Sequence, residues 1–122
     1  MGNQVVWFDL PVLDLDRAMK FYSDVLGAEL NKDEHDGFTF AVLPHEKPFN
    51  GGCLVPNQEN PPSRNGVMIY LNVDNRIDEA ITAVTQNGGE ILQDKHQIGP
   101  FGYRAIIVDT EGNRVALHAE NN

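Results

Sequence analysis

A chain of 122 residues, 41% of them hydrophobic and 22% charged, has the make-up of one ordinary globular domain with enough apolar material for a core. The formal net charge of −9 and the scatter of only nine Lys and Arg residues exclude a phosphate-tracking nucleic-acid surface, while leaving room for one local cationic pocket. No apolar run is long enough to cross a bilayer and no basic-then-apolar leader opens the chain. The single Cys53 can form neither an internal disulfide nor a thiolate-rich metal site. The expected setting is the cytoplasm, with no membrane and no nucleic-acid partner.

Val5-Val6-Trp7-Phe8-Asp9-Leu10-Pro11-Val12 reads as the first strand, an apolar run expected to be buried on both faces. Period-two alternation puts Val6, Phe8, Leu10 and Val12 on one apolar face that must pack on helices. The opposite face carries Val5, Trp7, Asp9 and Pro11. Asp14 or Asp16 then caps a helix whose apolar positions are Leu15, Ala18, Met19, Tyr22, Val25 and Leu26, and Gly27 ends it. Strands are expected around 28–33, 37–43 and 50–55, with a turn at His35-Asp36-Gly37 and a loop over His45 to Asn50. The polar, proline-rich stretch 57–65 is a linker. Val67–Val73 is the next strand, followed by a helix with Ile77, Ala80, Ile81 and Val84 on its stripe and a stop at Asn87-Gly88-Gly89. Strands near 90–95, 103–108 and 114–119 complete the chain, the last two joined through Asp109-Thr110-Glu111-Gly112-Asn113.

The second half therefore repeats the first at an offset of about 60 residues, and a repeated unit of this kind must bury its apolar faces against its copy. The expected architecture is α+β: two βαβββ modules, about 4–56 and 66–120, within one domain spanning 1–122. They form a curved, cup-shaped mixed sheet with the helices outside and room for a ligand in the cup.

The run Asp14-Leu15-Asp16-Arg17-Ala18-Met19-Lys20-Phe21-Tyr22 to Val25-Leu26-Gly27 resembles the first helix of the vicinal oxygen chelate superfamily, and Asp109–Asn113 resembles its penultimate hairpin, usually Asp-Pro-Asp-Gly-Asn. That superfamily includes glyoxalase I, bleomycin-resistance proteins, fosfomycin-resistance enzymes and extradiol dioxygenases. Trp7–Val12 and Ile98-Gly99-Pro100-Phe101-Gly102 look like a glyoxalase-like branch of it. The resemblance implies a homodimer and, in metal-dependent members, a divalent ion held by the first, fourth, fifth and last strands. Those four positions fall at Trp7, at about Cys53, at Met68 and at Ala116. Tryptophan, methionine and alanine offer nothing to a hard or borderline cation, so no metal and no cofactor are expected.

Candidate ligand-binding residues are Trp7, Asp9, Cys53, Met68, Tyr70, Arg104 and His118. Asp9 shares the inward face with Trp7. Arg104, among apolar neighbours, calls for a carboxylate partner, either Asp9 or an anionic ligand, and the internal pair is the simpler arrangement. His118 is the best-placed acid–base group, two residues beyond Ala116 on the last strand. Trp7, Tyr70 and Phe101 would give the cup aromatic walls, and Cys53 reads as a small buried filler; His35, His45 and His96 fall in loops or at a strand end. The expected function is metal-independent binding of a small aromatic or anionic molecule. The alternative is a metal-dependent lyase or isomerase of the lactoylglutathione lyase type, with a non-standard site built from Asp9, His118 and a third donor. A pure interaction module is disfavoured by polar residues at inward strand positions.

Overall fold

The computed structural model of the chain describes residues 2–121. Strand β1 (Trp7–Val12) leads into helix α1 (Leu15–Leu26), then β2 (Lys32–His35), β3 (Phe38–Val42) and β4 (Gly51–Pro56). The same order recurs as β5 (Tyr70–Asn72), α2 (Ile77–Gln86), β6 (Glu90–Gln97), β7 (Tyr103–Val108) and β8 (Arg114–Ala119). Each module forms a four-stranded mixed sheet, β1-β4-β3-β2 and β5-β8-β7-β6, in which the first strand pairs in parallel with the last. The expected α+β pair of βαβββ modules is the observed one.

Local chemistry explains the elements. The Asp14 carboxylate accepts the Arg17 N–H at 3.0 Å at the start of α1, and Gly27 closes the helix at φ 71°. The helix buries Leu15, Ala18, Phe21, Tyr22 and Val25. Strand β1 is buried on one face and not, as its apolar run suggests, on both: Leu10 and Val12 are buried while Trp7 and Asp9 are exposed, because only the helix-side face meets the core. Asp36 and Gly37 both take positive φ (51° and 83°), the pair of left-handed residues that a tight β2–β3 hairpin needs.

Two strands are shorter or later than expected. Strand β2 starts at Lys32, not near 28, because the Leu30 N–H is taken by Ser23 Oγ at 3.0 Å, which ties this segment to α1. Strand β5 is confined to Tyr70–Asn72 within the expected 67–73. Its partner β8 gives the Ala116 N–H to Ile69, but the Arg114 N–H turns away to the Ser63 carbonyl, so no ladder continues to Met68 and Val67.

Helices α1 and α2 pack together on one side, and one apolar core takes residues from both modules. The modules are also joined at the β7–β8 turn. Buried Asp109 accepts the N–H groups of Glu111, Gly112 and Asn113 on Oδ1 at 2.8–2.9 Å. On Oδ2 it accepts the Tyr22 hydroxyl at 2.6 Å and the Asn113 amide at 3.1 Å. The same Asn113 amide also donates to the Pro11 carbonyl at 2.7 Å. Tyr22 is fully buried; that burial and the neighbouring Asp109 carboxylate push its phenol well above the ordinary range, so it stays a donor. Tyr22→Phe leaves a buried carboxylate oxygen one donor short. It is expected to lower stability by about 1–2 kcal/mol, read as a shift of the urea midpoint at unchanged slope.

Candidate functional site on the open sheet face

The sheet faces turned away from the helices carry the polar groups. In the second module, the register pairs Tyr70 with Ala116, Arg104 with His118 and His96 with Arg104, so all five side chains share one face. Arg104 is the hub. Its Nη1 donates to the Tyr70 hydroxyl at 2.7 Å, and Nε and Nη2 both donate to His96 Nε2, at 3.2 and 3.1 Å. His96 Nδ1 lies 2.8 Å from the Asp94 carbonyl and must donate to it, which places the ring proton on Nδ1 and leaves the Nε2 lone pair for the guanidinium. Both partners of Arg104 are thus neutral. Among the described residues, no carboxylate lies within ion-pair distance of it.

His118 is oriented in the same manner. Its Nε2–H donates to the Phe101 carbonyl at 2.6 Å, Nδ1 has no partner among the described residues, and its ring stands 6.2 Å from that of Tyr70. The Phe101 carbonyl is presented by a short 3-10 turn, Gly99–Phe101.

In the first module the parallel β1–β4 register sets Trp7 beside Gly51 and Asp9 beside Cys53. The His45 ring occupies the space a Gly51 side chain would fill and meets Trp7 edge-on, with ring centroids 5.7 Å apart. The Cys53 thiol donates to Asp9 Oδ1 at 3.3 Å. Burial chiefly, opposed by Trp7 and reinforced by Asp9, pushes that thiol up, so it stays protonated near neutrality. Iodoacetamide is therefore expected to alkylate Cys53 at least roughly tenfold more slowly in the native protein than in denaturant, followed by intact mass.

The expected residues do not all converge. Tyr70, Arg104 and His118 form one group, and Trp7, Asp9 and Cys53 another. Met68 is half-buried just ahead of β5, and Ala116 is fully buried between the β5 and β7 partners. The simple Arg104–Asp9 pair is not formed: Asp9 takes the Cys53 thiol, and Arg104 is taken by two neutral groups on its own sheet. Phe101 is 73% exposed and presents its carbonyl, not its ring, to His118. His96, read as a strand-end residue, is the group sequence reasoning missed. Counting outward from Pro100 pairs Gln97 with Tyr103 and His96 with Arg104, and that count was the available signal.

The two modules line common grooves, Phe8 and Gly52 of the first with Tyr70 and Leu71 of the second in one, and Asp9 and Pro11 with Ile69 and Arg114 in another, so they adjoin along a seam. Among the described residues no three His, Cys, Asp or Glu side chains gather closely enough to hold a metal ion. The donor set at the four family positions, Trp7, Cys53, Met68 and Ala116, does not fit a divalent ion, since only the Cys53 sulfur could bind one and it is held as a thiol.

The sequence model of the Glyoxalase/Bleomycin resistance protein/Dioxygenase superfamily matches residues 4–117. The chain belongs to this superfamily. It is 33% identical to a glyoxylase-like domain-containing protein of Didymella fabae, over 96% of this chain and 94% of that one. Its fold superposes on a glyoxalase/bleomycin resistance protein from Albidiferax ferrireducens T118 with a TM-score of 0.74 at 18% identity, covering 96% and 98% of the two chains. It also superposes on an E144Q glyoxalase I mutant from Zea mays with a TM-score of 0.69 at 25% identity. That match covers 93% of this chain and 46% of the maize chain, so the present chain spans about half of that relative. Among the described residues no helix is long and apolar enough to cross a membrane.

Proposed function

We propose that this superfamily member binds a small aromatic or anionic molecule on its open sheet face without a metal ion. The observation that carries this reading is Arg104: a half-buried guanidinium oriented by a tyrosine hydroxyl and a neutral histidine, with its charge left uncompensated. A cation kept in such surroundings favours an incoming anion, because the ligand supplies the counter-charge that the fold withholds. His118, whose Nδ1 has no partner among the described residues, stands one strand away and could accept a proton from what binds there. Trp7, Asp9, Cys53 and Met68 form the remainder of the proposed surface. A homodimer belongs to the same reading on the family resemblance alone, and a cytoplasmic setting on the single cysteine.

The relatives' names favour glyoxalase-type chemistry as the second reading. Here it would need a metal site assembled from Asp9, His118 and a third donor, and these two residues lie in different side-chain groups, each already hydrogen-bonded. Trp7 is the only tryptophan and 42% exposed, so its fluorescence reports on this face. In buffer containing chelator, titration with small aromatic acids is expected to produce saturable fluorescence changes. Changes that require added divalent metal would favour the second reading instead.

A further inference from the structure

Deepening the cup-binding reading, on which it rests, we propose that the group recognised at Arg104 is the carboxylate of a small apolar monocarboxylic acid, gripped jointly by Arg104 and Tyr70. A guanidinium carries five N–H donors. Nε–H and one hydrogen of Nη2 go to His96 and one hydrogen of Nη1 goes to Tyr70, which leaves one donor on each of the two terminal nitrogens. Free donors on two adjacent nitrogens suit the two oxygens of a carboxylate. The Tyr70 hydroxyl accepts from Arg104 and keeps its own proton, so it adds a donor beside them.

Charge selects among anions. One guanidinium supplies a single positive charge, and the two groups bonded to it, Tyr70 and His96, are neutral. With the chain at −9 overall, a monoanion is matched and a dianionic phosphate is left with surplus charge. Along β7 from Arg104 the same face continues with the part-exposed Ile106, which offers the body of the ligand an apolar contact. His96 acts as a positioning residue: fixed by the Asp94 carbonyl, it takes Nε–H and one Nη2 hydrogen and so sets the orientation of the guanidinium.

The test is fluorine NMR titration of the intact chain with 4-fluorobenzoate, its neutral amide 4-fluorobenzamide and the dianionic 4-fluorophenyl phosphate, in chelator and without phosphate buffer. The benzoate is expected to bind at least tenfold more tightly than either analogue. Arg104→Gln and Arg104→Lys should each lose tenfold or more, the lysine because it cannot form the paired contact, and Tyr70→Phe should lose about threefold to tenfold. Far-UV circular dichroism and the urea midpoint identify any variant that has failed to fold, and Tyr70→Phe, the mildest change, keeps the test open in that case. Equal binding of benzoate and amide would overturn carboxylate recognition while leaving the cup-binding reading intact. Tighter binding of the phosphate, benzoate binding unaffected by Arg104→Gln, or no benzoate binding at all would each overturn the proposal. The cup-binding reading stands or falls separately, on the Trp7 fluorescence titrations.

Discussion

Glu111→Ala is expected to destabilise the fold by about 3 kcal/mol. Its carboxylate is fully buried and accepts four charge-assisted or backbone bonds that hold the start of α1: the N–H groups of Leu13 and Asp14 at 2.8 and 2.7 Å, and Arg17 Nε and Nη2 at 2.7 and 2.9 Å. The Thr110 hydroxyl adds a fifth at 2.8 Å. Truncation strands these donors around a small cavity, and the half-exposed Arg17 recovers part of the loss by turning to water. Burial alone would raise the Glu111 carboxyl, but Arg17, the two backbone N–H groups and Thr110 together hold it at about 2. The sign follows from that depression. The native state binds its proton later than the unfolded chain, so the contribution is complete above the ordinary carboxylate range, near 4.5, and is lost as pH falls toward about 2. Denaturant midpoints between pH 6 and 2 should fall steeply for the native chain and less steeply for Glu111→Gln; parallel curves would contradict the assignment.

Gly102→Ala is the second large effect, and it reaches the binding face. Gly102 holds φ at 94°, and a Cβ there would stand 2.4 Å from the Ala119 carbonyl oxygen and 3.0 Å from Glu120 Cα. Both obstacles are backbone, so no side-chain rotation relieves them, and the expected cost is about 2–4 kcal/mol. Gly102 sits between the Phe101 carbonyl that orients His118 and the first rung of the β7–β8 ladder, Tyr103 with Ala119. The variant should therefore lose stability, release His118 from its fixed tautomer, visible in the imidazole nitrogen shifts, and weaken ligand binding on the face. Native-like stability with unchanged His118 shifts would show that the loop accommodates a side chain.

The sequence makes the helices and the outer strands legible because their signals are local. Asp14 and Gly27 punctuate α1, and the alternation on β1 separates Leu10 and Val12 from Trp7 and Asp9 without reference to any other segment. What is hidden depends on partners far away in the chain. The turn Asp109–Asn113 is recognisable as a hairpin, yet its role as junction needs Tyr22, Arg17 and Pro11, 87 to 102 positions earlier. The Asp9–Cys53 bond follows only from a parallel register between strands 44 residues apart. The β6–β7 hairpin slips register twice, between Ile91 and Gln93 and between Gln93 and His96, so simple alternation along β6 cannot assign His96 to the Arg104 face. The short β5 is hidden because the β8 residue Arg114 gives its N–H to Ser63 in the linker, a contact no local pattern announces.

The most direct test of metal-independent binding is elemental analysis of protein purified without chelator, followed by calorimetric add-back of Zn, Ni, Mn and Fe. The donor set at Trp7, Cys53, Met68 and Ala116 predicts no stoichiometric metal and no saturable heat. One equivalent of tightly held metal, lost on Asp9→Ala or His118→Ala, would contradict the account and make these two residues ligands of a catalytic ion.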